Sequence, residues 1–218
     1  MTYLEYLPSV KHILISCIPT VCYFVSCSFY ELFIEKPKLN MKDYYTNSSK
    51  NMVLSSITNI FLVYPLFIYF DKTLDTVSPM CIIGGCLMVD TIEYMWHYLL
   101  HYKFSLYNKF HHIHHKATPI HPRTSFYNSD YEVFMTSATL LLSFLVLPYS
   151  YYDYIVITSL SYVSTVCDHT NTSKNKFHIL HHNNNKNKNL QQPFFTFWDH
   201  IFGTYNKNSE LKIPFVPN

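Results

Sequence analysis

The chain has 218 residues, which is the length of a single domain. Apolar residues make up 49% of it and aromatic residues 18%, with only 3 glycines, and this composition excludes a disordered chain. The net charge of +2 is not gathered into a basic stripe, and the sequence has no glycine-rich phosphate loop. Neither nucleic acid nor a nucleotide is therefore an expected partner.

Three apolar tracts follow one another in the first half of the chain. Residues 12–34 are mostly apolar or small, and residues 51–70 carry no charged side chain. Residues 77–100 stay apolar as far as Asp90. A membrane-spanning helix needs about 20 such residues, so each of the three tracts predicts one span.

The fourth apolar tract, residues 133–167, is too long for one span and is interrupted by Pro148 and Asp153. Proline does not continue a helix, and aspartate favours caps and turns. We therefore predict a hairpin of two shorter helices that turns between these two residues. The expected fold class is all-α, a multi-pass membrane helical bundle. Buried core helices of a soluble protein are the alternative at this stage.

Basic residues are distributed unevenly between the connecting segments. All 16 Lys and Arg residues except Lys11 and Lys72 lie between the first two tracts, after the third tract or after the hairpin. Cytosolic loops of membrane proteins carry the excess of basic residues. We therefore expect these segments to face the cytosol. The first apolar tract lacks a small-residue cleavage site and is predicted to be a retained anchor.

Histidines are concentrated in three boxes within the segments predicted to be cytosolic. Imidazole is a metal ligand at neutral pH, and a single tetrahedral metal takes four protein ligands at most. The boxes therefore predict two metal ions in a histidine-rich cap on the bundle. A histidine-rich zinc carrier is the competing interpretation, although its ligands would be expected near the bilayer midplane. The boxes are His97 and His101; His111, His114 and His115; and His178, His181 and His182, preceded by His169.

Helical spacing indicates which side chains share a face with the boxes. Residues three and four apart lie on one face of a helix, so His112 would fall to the side of its box and is expected at the surface or behind the ligands. Asp90 and Glu93 extend the stripe of His97 toward the membrane. Carboxylates inside a span are usually functional, and a ligating histidine usually donates its second N–H to a carboxylate or carbonyl. We therefore expect Asp90 and Glu93 to support the metal ligands, with helix packing as the alternative.

The boxes belong to longer motifs that occur in a fixed order. The motifs are Asp90-Thr-Ile-Glu-Tyr-Met-Trp-His-Tyr-Leu-Leu-His101, Lys109-Phe-His-His-Ile-His-His115, Asp168-His-Thr170, Phe177-His-Ile-Leu-His-His182 and Phe195-Thr-Phe-Trp-Asp-His-Ile-Phe-Gly-Thr204. The set resembles the fatty acid hydroxylase superfamily of membrane sterol desaturases and hydroxylases, over residues 85–205. Residues 1–84 would then be N-terminal transmembrane anchor helices and residues 206–218 a C-terminal tail. The segment Tyr127–Glu132 is most similar to the cholesterol 25-hydroxylase-like branch.

The resemblance implies a non-haem centre of two iron ions that uses O2 to oxidise a C–H bond of a lipid. It also implies electrons from NAD(P)H through a cytochrome b5-type or similar carrier, and a location in the endoplasmic reticulum membrane, which supplies the lipid substrate. The ligands that the resemblance implies are His97, His101, His111, His114, His115, His169, His178, His181 and His182.

The sequence departs from the family pattern at two positions. Ser129 stands where many members have a histidine, although the cholesterol 25-hydroxylase-like branch also carries serine there, and Thr165 stands where some members have another. His121 and His200 have no family role and are expected at the surface. Hydroxylation, desaturation, other bond cleavage at the same centre and an inactive metal-binding member all stay open, with a sterol favoured over a fatty acyl substrate.

Overall fold

A computed structural model describes residues 7–34, 36, 41–72, 75–170, 177–183, 187–190 and 193–206. Every regular element among these residues is helical, which confirms the prediction of an all-α fold. In chain order they are α1 (Val10–Ser16), α2 (Ile18–Phe33), α3 (Lys42–Thr58), a π-helical turn (Asn59–Val63), α4 (Tyr64–Tyr69), α5 (Pro79–Tyr102), α6 (Phe104–Lys109), two 3-10 helices (His111–Lys116 and Pro122–Thr124), α7 (Asp130–Val146), α8 (Tyr151–Asp168), α9 (Phe177–Asn183) and α10 (Phe197–Ile201).

One continuous helix, Lys42–Tyr69, is long and apolar enough to cross a membrane. It comprises α3, the π-helical turn and α4. Helices α1 and α2 are bent by 40° at their junction and form a second candidate span when they are taken as one. No other helix in the described part of the chain meets the same criterion, so the predicted multi-pass arrangement stays a prediction.

The π-helical turn lies immediately before Pro65. A proline lacks the backbone N–H, and its ring clashes with the carbonyl four residues earlier in an α-helix. In the wider turn, the backbone N–H of Tyr64 donates to the carbonyl oxygen of Asn59, five residues back. The wider turn leaves room for the proline, and the apolar helix therefore continues to Tyr69 without a break.

The predicted turn at Pro148 is present, since α7 ends at Val146 and α8 begins at Tyr151. Ser150 and Asp153 form a capping box: the Asp153 N–H donates to Ser150 Oγ at 2.9 Å, and the Ser150 N–H donates to the Asp153 carboxylate at 3.0 Å. The same carboxylate accepts the N–H of Ser78, the N-cap of α5, at 2.9 Å. The capping residue therefore joins the first turn of α8 to the first turn of α5.

Helices α5 and α8 pack closely at Gly85. A Cβ atom on Gly85 would lie 2.1 Å from Cδ1 of Ile157, so a larger residue would displace the Ile157 side chain. The surrounding core includes Phe67, Phe144 and Tyr151, and a second cluster joins α2 to α3 and α8. Because α5 and α8 begin side by side and run in parallel, their C-terminal ends meet at the same end of the bundle.

Candidate metal centre

The C-terminal end of α5 supplies the first two imidazoles. His97 and His101 are one turn apart, with ring centroids separated by 4.8 Å. The chain then returns through α6 to the second box, which forms a 3-10 helix instead of the α-helix assumed in the face argument. The box still faces α5, because Nε2 of His111 lies 3.0 Å from Nε2 of His97.

All nine predicted ligand residues come together, in two groups. Within each group, the candidate ligand atoms lie within 4.8 Å of one another. Adjacent histidines are divided between the groups, so that the doubled histidines of the second and third boxes link the two centres. The five-histidine group contains His97, His101, His111, His115 and His181, and the four-histidine group contains His114, His169, His178 and His182.

Distances between nitrogen atoms in the five-histidine group match the edges of a coordination shell. Nε2 of His101 lies 3.1 Å from Nε2 of His97, and Nε2 of His115 lies 3.2 Å from Nε2 of His111. Metal–nitrogen bonds of about 2.0–2.1 Å place neighbouring ligand nitrogens about 3.0–3.4 Å apart. Imidazole lone pairs that face one another at such distances repel unless a cation lies between them. The donor set therefore fits a metal ion.

Imidazole nitrogens in the four-histidine group also lie close to one another. Nε2 of His182 lies 3.0 Å from Nε2 of His178. Nε2 of His169 is buried and has no hydrogen-bond partner among the described residues. A buried, unsatisfied imidazole nitrogen is costly, and a metal ion in the group would satisfy it. This second donor set therefore also fits a metal ion.

Backbone carbonyls hold the opposite ring nitrogen of several imidazoles. A carbonyl oxygen can only accept, so the proton of each ring lies on Nδ1 and the Nε2 lone pair is left available to a metal. Such support is usual for ligating histidines and fixes the orientation of the ring. The Nδ1–H groups of His114, His169 and His181 donate to the carbonyl oxygens of Tyr127, Thr165 and Lys188 at 3.2, 2.8 and 3.0 Å.

Glu132 makes the carboxylate contact that we expected from Asp90 and Glu93. Its buried Oε1 lies 2.6 Å from Nδ1 of His111. Glu132 is in the first turn of α7, and its backbone N–H donates to Oγ of the N-cap residue Ser129 at 3.2 Å. The sequence signal was a serine followed three residues later by glutamate, at the start of an apolar tract. Ser129, which stands where many members of the resembling family have a histidine, thus caps α7.

The other two carboxylates do not hold imidazoles. Asp90 is fully buried and accepts the backbone N–H groups of Phe194 and Phe195 at 3.0 and 2.6 Å. It therefore attaches the segment before α10 to α5. This contact corrects the expectation that the Asp90 carboxylate supports a metal ligand. Glu93 forms no hydrogen bond with an imidazole in the described part of the chain and instead lines a cavity.

Burial keeps several of the imidazoles neutral, which is the form that binds metals. Loss of hydration, together with the smaller effect of a neighbouring imidazole, lowers the pKa of His114 to about 4 and that of His169 to about 3. The same two causes place the pKa of His182 well below its usual value. These three side chains are therefore uncharged at physiological pH.

An apolar cavity of about 580 Å³ touches both histidine groups. Residues of α3, the π-helical turn, α5, α7 and α8 form its wall, which includes Leu62, Val89 and Leu141. His97 of the five-histidine group and His169 of the four-histidine group line it as well. A long apolar molecule in this cavity would therefore contact both centres.

His112, His121 and His200 lie outside both groups. His112 is partly buried and belongs to neither group, and His200 is exposed and stacks on Tyr205. The prediction that His121 lies at the surface is wrong, since it is buried. It caps the short helix Pro122–Thr124, where its Nδ1 accepts the backbone N–H of Arg123 at 3.2 Å.

Comparison with known proteins decides the family. The model of the fatty acid hydroxylase family matches residues 82–204, which is more than half of the chain. The chain belongs to the fatty acid hydroxylase family. No solved structure matches this family member.

Curated relatives of this family member are named for sphingolipids or very-long-chain aldehydes. It is similar to the sphingolipid C4-hydroxylase of Schizosaccharomyces pombe, with 32% identity over 54% of this chain and 45% of the relative. It is also similar to the sphingolipid C4-hydroxylase of Saccharomyces cerevisiae, with 30% identity over 61% of this chain and 42% of the relative. A very-long-chain aldehyde decarbonylase of Oryza sativa subsp. indica is 24% identical over 86% of each chain. The chain thus spans less than half the length of the two yeast relatives.

These relatives support the predicted superfamily but not the predicted branch within it. The resemblance to the fatty acid hydroxylase superfamily is confirmed, and the family match together with the two hydroxylases supports an oxidoreductase. The relatives do not support closeness to the cholesterol 25-hydroxylase-like branch, because their names refer to sphingolipids, sphinganine and aldehydes. The motif Tyr127–Glu132 supports the histidine groups structurally, and this does not specify a sterol.

Proposed function

We propose that this family member is a membrane-bound di-iron enzyme that hydroxylates a C–H bond of a long-chain lipid with O2. The observation that carries the proposal is the apolar cavity of about 580 Å³ that touches both histidine groups. Its volume lies within the range of about 300–1,000 Å³ typical of small-molecule sites. A lipid chain in the cavity would place a methylene group beside both centres and would exclude water from them.

The nine clustered histidines are the proposed ligands, and iron is the proposed metal. Imidazole binds zinc, copper, iron and nickel, but hydroxylation with O2 requires a metal that changes oxidation state. Two iron ions, when bound, would supply the activation of O2. The protein's own contribution is orientation: Glu132 holds His111, while the carbonyl groups of Tyr127 and Thr165 hold His114 and His169.

The exterior of the helices supports a location in a membrane. Val25, Phe61, Leu142 and Val146 are each more than half exposed, with 62%, 66%, 62% and 81% of their surface accessible. Large apolar side chains on the outside of several helices favour contact with lipid. We propose a multi-pass arrangement in the endoplasmic reticulum, with the histidine groups on the basic, cytosolic side. A cytochrome b5-type or similar carrier would deliver electrons there.

A sphingolipid long-chain base is the proposed substrate, in preference to the sterol that the sequence motifs favoured. The support is the identity of 32% and 30% to the two sphingolipid C4-hydroxylases. Cleavage of a very-long-chain aldehyde is the second candidate, since the decarbonylase relative matches over 86% of both chains. The two candidates differ in the head of the substrate, an amino alcohol in one case and an aldehyde in the other.

The test is oxidation of lipids by cells that express the chain and are supplied with isotopically labelled O2. Mass spectrometry should find one labelled oxygen in a long-chain base, and cells that express His114→Ala should lack this product. A new double bond without label would support desaturation, and a shortened hydrocarbon would support decarbonylation. An unchanged lipid profile from the iron-loaded protein with a working electron donor would overturn the proposal.

A further inference from the structure

Glu93 is a carboxylate without a counter-charge in the wall of the cavity. Its side chain is partly buried, and the charged groups that repel its negative charge are the carboxylates of Glu132 and Asp90. Glu93 forms no hydrogen bond or ion pair with any described residue, whereas one oxygen of Glu132 and both oxygens of Asp90 have partners. No oxygen of Glu93 belongs to either histidine group. A carboxylate in an apolar cavity is costly unless it is paired, so Glu93 lacks a partner that a ligand can provide.

Several polar groups around the cavity already have hydrogen-bond partners. The hydroxyl groups of Tyr162 and Ser55 bond to each other at 2.7 Å, and Thr165 Oγ1 donates to the carbonyl oxygen of Ser161 at 2.9 Å. Among the described residues that line the cavity, several are acidic and none is lysine or arginine. This charge pattern disfavours a ligand with a carboxylate or phosphate head and favours a cationic one.

The position of Glu93 relates such a head group to the reacting carbon. His97 is one helical turn further along α5, about 6 Å along the helix axis, and lines the same cavity. A cationic group at Glu93 would therefore hold a carbon a few bonds away beside the histidine groups. A long-chain base fits this spacing, because its amino group is on C2 and the relatives' names specify oxidation at C4.

We propose that Glu93 binds the ammonium group of a long-chain base and thereby selects the carbon that is oxidised. This inference rests on the proposed function, which it deepens by assigning the head-group site. It distinguishes a long-chain base from an N-acylated sphingolipid, a fatty alcohol and an aldehyde, since none of these carries an ammonium group. A charge-assisted hydrogen bond in a water-poor cavity accounts for a large preference.

Direct binding to the purified, metal-loaded full chain tests the inference. Radiolabelled sphinganine is the probe, and unlabelled sphinganine, N-acetylsphinganine and octadecan-1-ol are the competitors. Glu93→Gln should weaken sphinganine binding by at least tenfold and leave octadecan-1-ol within twofold. The wild type should prefer sphinganine to N-acetylsphinganine by at least tenfold, and Glu93→Gln should lose this preference, so that the two changes are not additive.

The matched control is Asp75→Asn, which removes a negative charge at an exposed carboxylate outside the cavity. Asp75 has an ion-pair partner, because Nζ of Lys11 lies 3.5 Å from it. Its variant should bind sphinganine like the wild type. Equal sphinganine binding by the wild type and Glu93→Gln would overturn the inference. A loss of metal from Glu93→Gln would also overturn it, since Glu93 would then support the metal site.

Two outcomes separate this inference from the proposed function. If the wild type oxidises long-chain bases and Glu93→Gln binds them equally well, the head-group site is wrong and the function stands. If the wild type binds sphinganine through Glu93 without oxidising it, the binding site stands and the function fails. If Glu93→Gln does not fold, the wild type's choice between sphinganine and N-acetylsphinganine decides, and equal affinity for both overturns the inference.

Discussion

The two histidine groups are built from the same side chain but differ in what lies behind it. In the five-histidine group, the carboxylate of Glu132 contacts Nδ1 of His111 at 2.6 Å. In the four-histidine group, backbone carbonyls hold His114 and His169 at 3.2 and 2.8 Å. A carboxylate makes an imidazole a stronger ligand than a neutral carbonyl does, and it adds negative charge near the metal. We therefore expect the five-histidine group to bind a metal ion more tightly than the four-histidine group.

The largest effect should come from the adjacent residues His114 and His115, which belong to different groups. His114→Ala should lose the metal of the four-histidine group, and His115→Ala that of the five-histidine group, because each removes one of the few ligands. Elemental analysis should fall from about two metal ions per chain to about one in each variant. Lipid oxidation should be abolished in both.

The neighbouring His112 provides the control for this pair, since it lies outside both groups. His112→Ala should keep its metal content and substantial activity. If His112→Ala were as inactive and as metal-poor as His114→Ala, the division of the second box between two groups would be wrong.

Glu132→Gln should have the next largest effect and tests the comparison directly. Loss of the carboxylate behind His111 should weaken metal binding in the five-histidine group by about 10–100-fold. A chelator titration should then show that this metal leaves first, which reverses the order expected for the wild type. Asp130→Asn, two residues away and exposed, should keep the wild-type order. Equal weakening of both metals would contradict the distinction between the groups.

Asp90→Ala should affect stability more than metal binding. The substitution leaves the backbone N–H groups of Phe194 and Phe195 without their acceptor. An unsatisfied N–H that is fully buried costs about 1–3 kcal/mol, and these two partly buried groups should cost less. Thermal unfolding of the metal-loaded protein should occur at a lower temperature, and limited proteolysis should cut near Phe194 sooner than in the wild type. If the variant unfolds at the wild-type temperature but contains less metal, Asp90 would instead support a metal ligand.

The smallest effects are expected at the two histidines outside the three boxes. His121→Ala removes the side-chain acceptor of a helix cap, and loss of such a cap costs about 0.5–2 kcal/mol. His200→Ala changes an exposed ring that stacks on Tyr205 and should alter stability less. Both variants should keep their metal content. Equal unfolding temperatures for the two variants would contradict the structural role of buried His121.

The sequence predicted the helical elements well where local rules apply. Pro148 and Asp153 marked the turn between α7 and α8, because a proline and a capping carboxylate act within a few residues of the chain. The membrane topology was harder to assess. The charge-free tract 51–70 lies within a helix that can cross a membrane, whereas α5 is helical but does not meet that criterion. The carboxylates of Asp90 and Glu93 lower the mean hydropathy of α5, although most of the tract 77–100 is apolar.

The spacing of imidazoles within each box, a local property of the sequence, singled out the eight box histidines, and the family resemblance implied the full set of nine that the structure brings together. Tertiary structure alone decided how they divide, since His114 and His115 are neighbours in the chain and members of different groups. It also decided which carboxylate lies where: Glu132 behind His111, and Asp90 on the backbone before α10. These contacts join residues 21 and 104 positions apart, and helix packing, not sequence spacing, sets such distances.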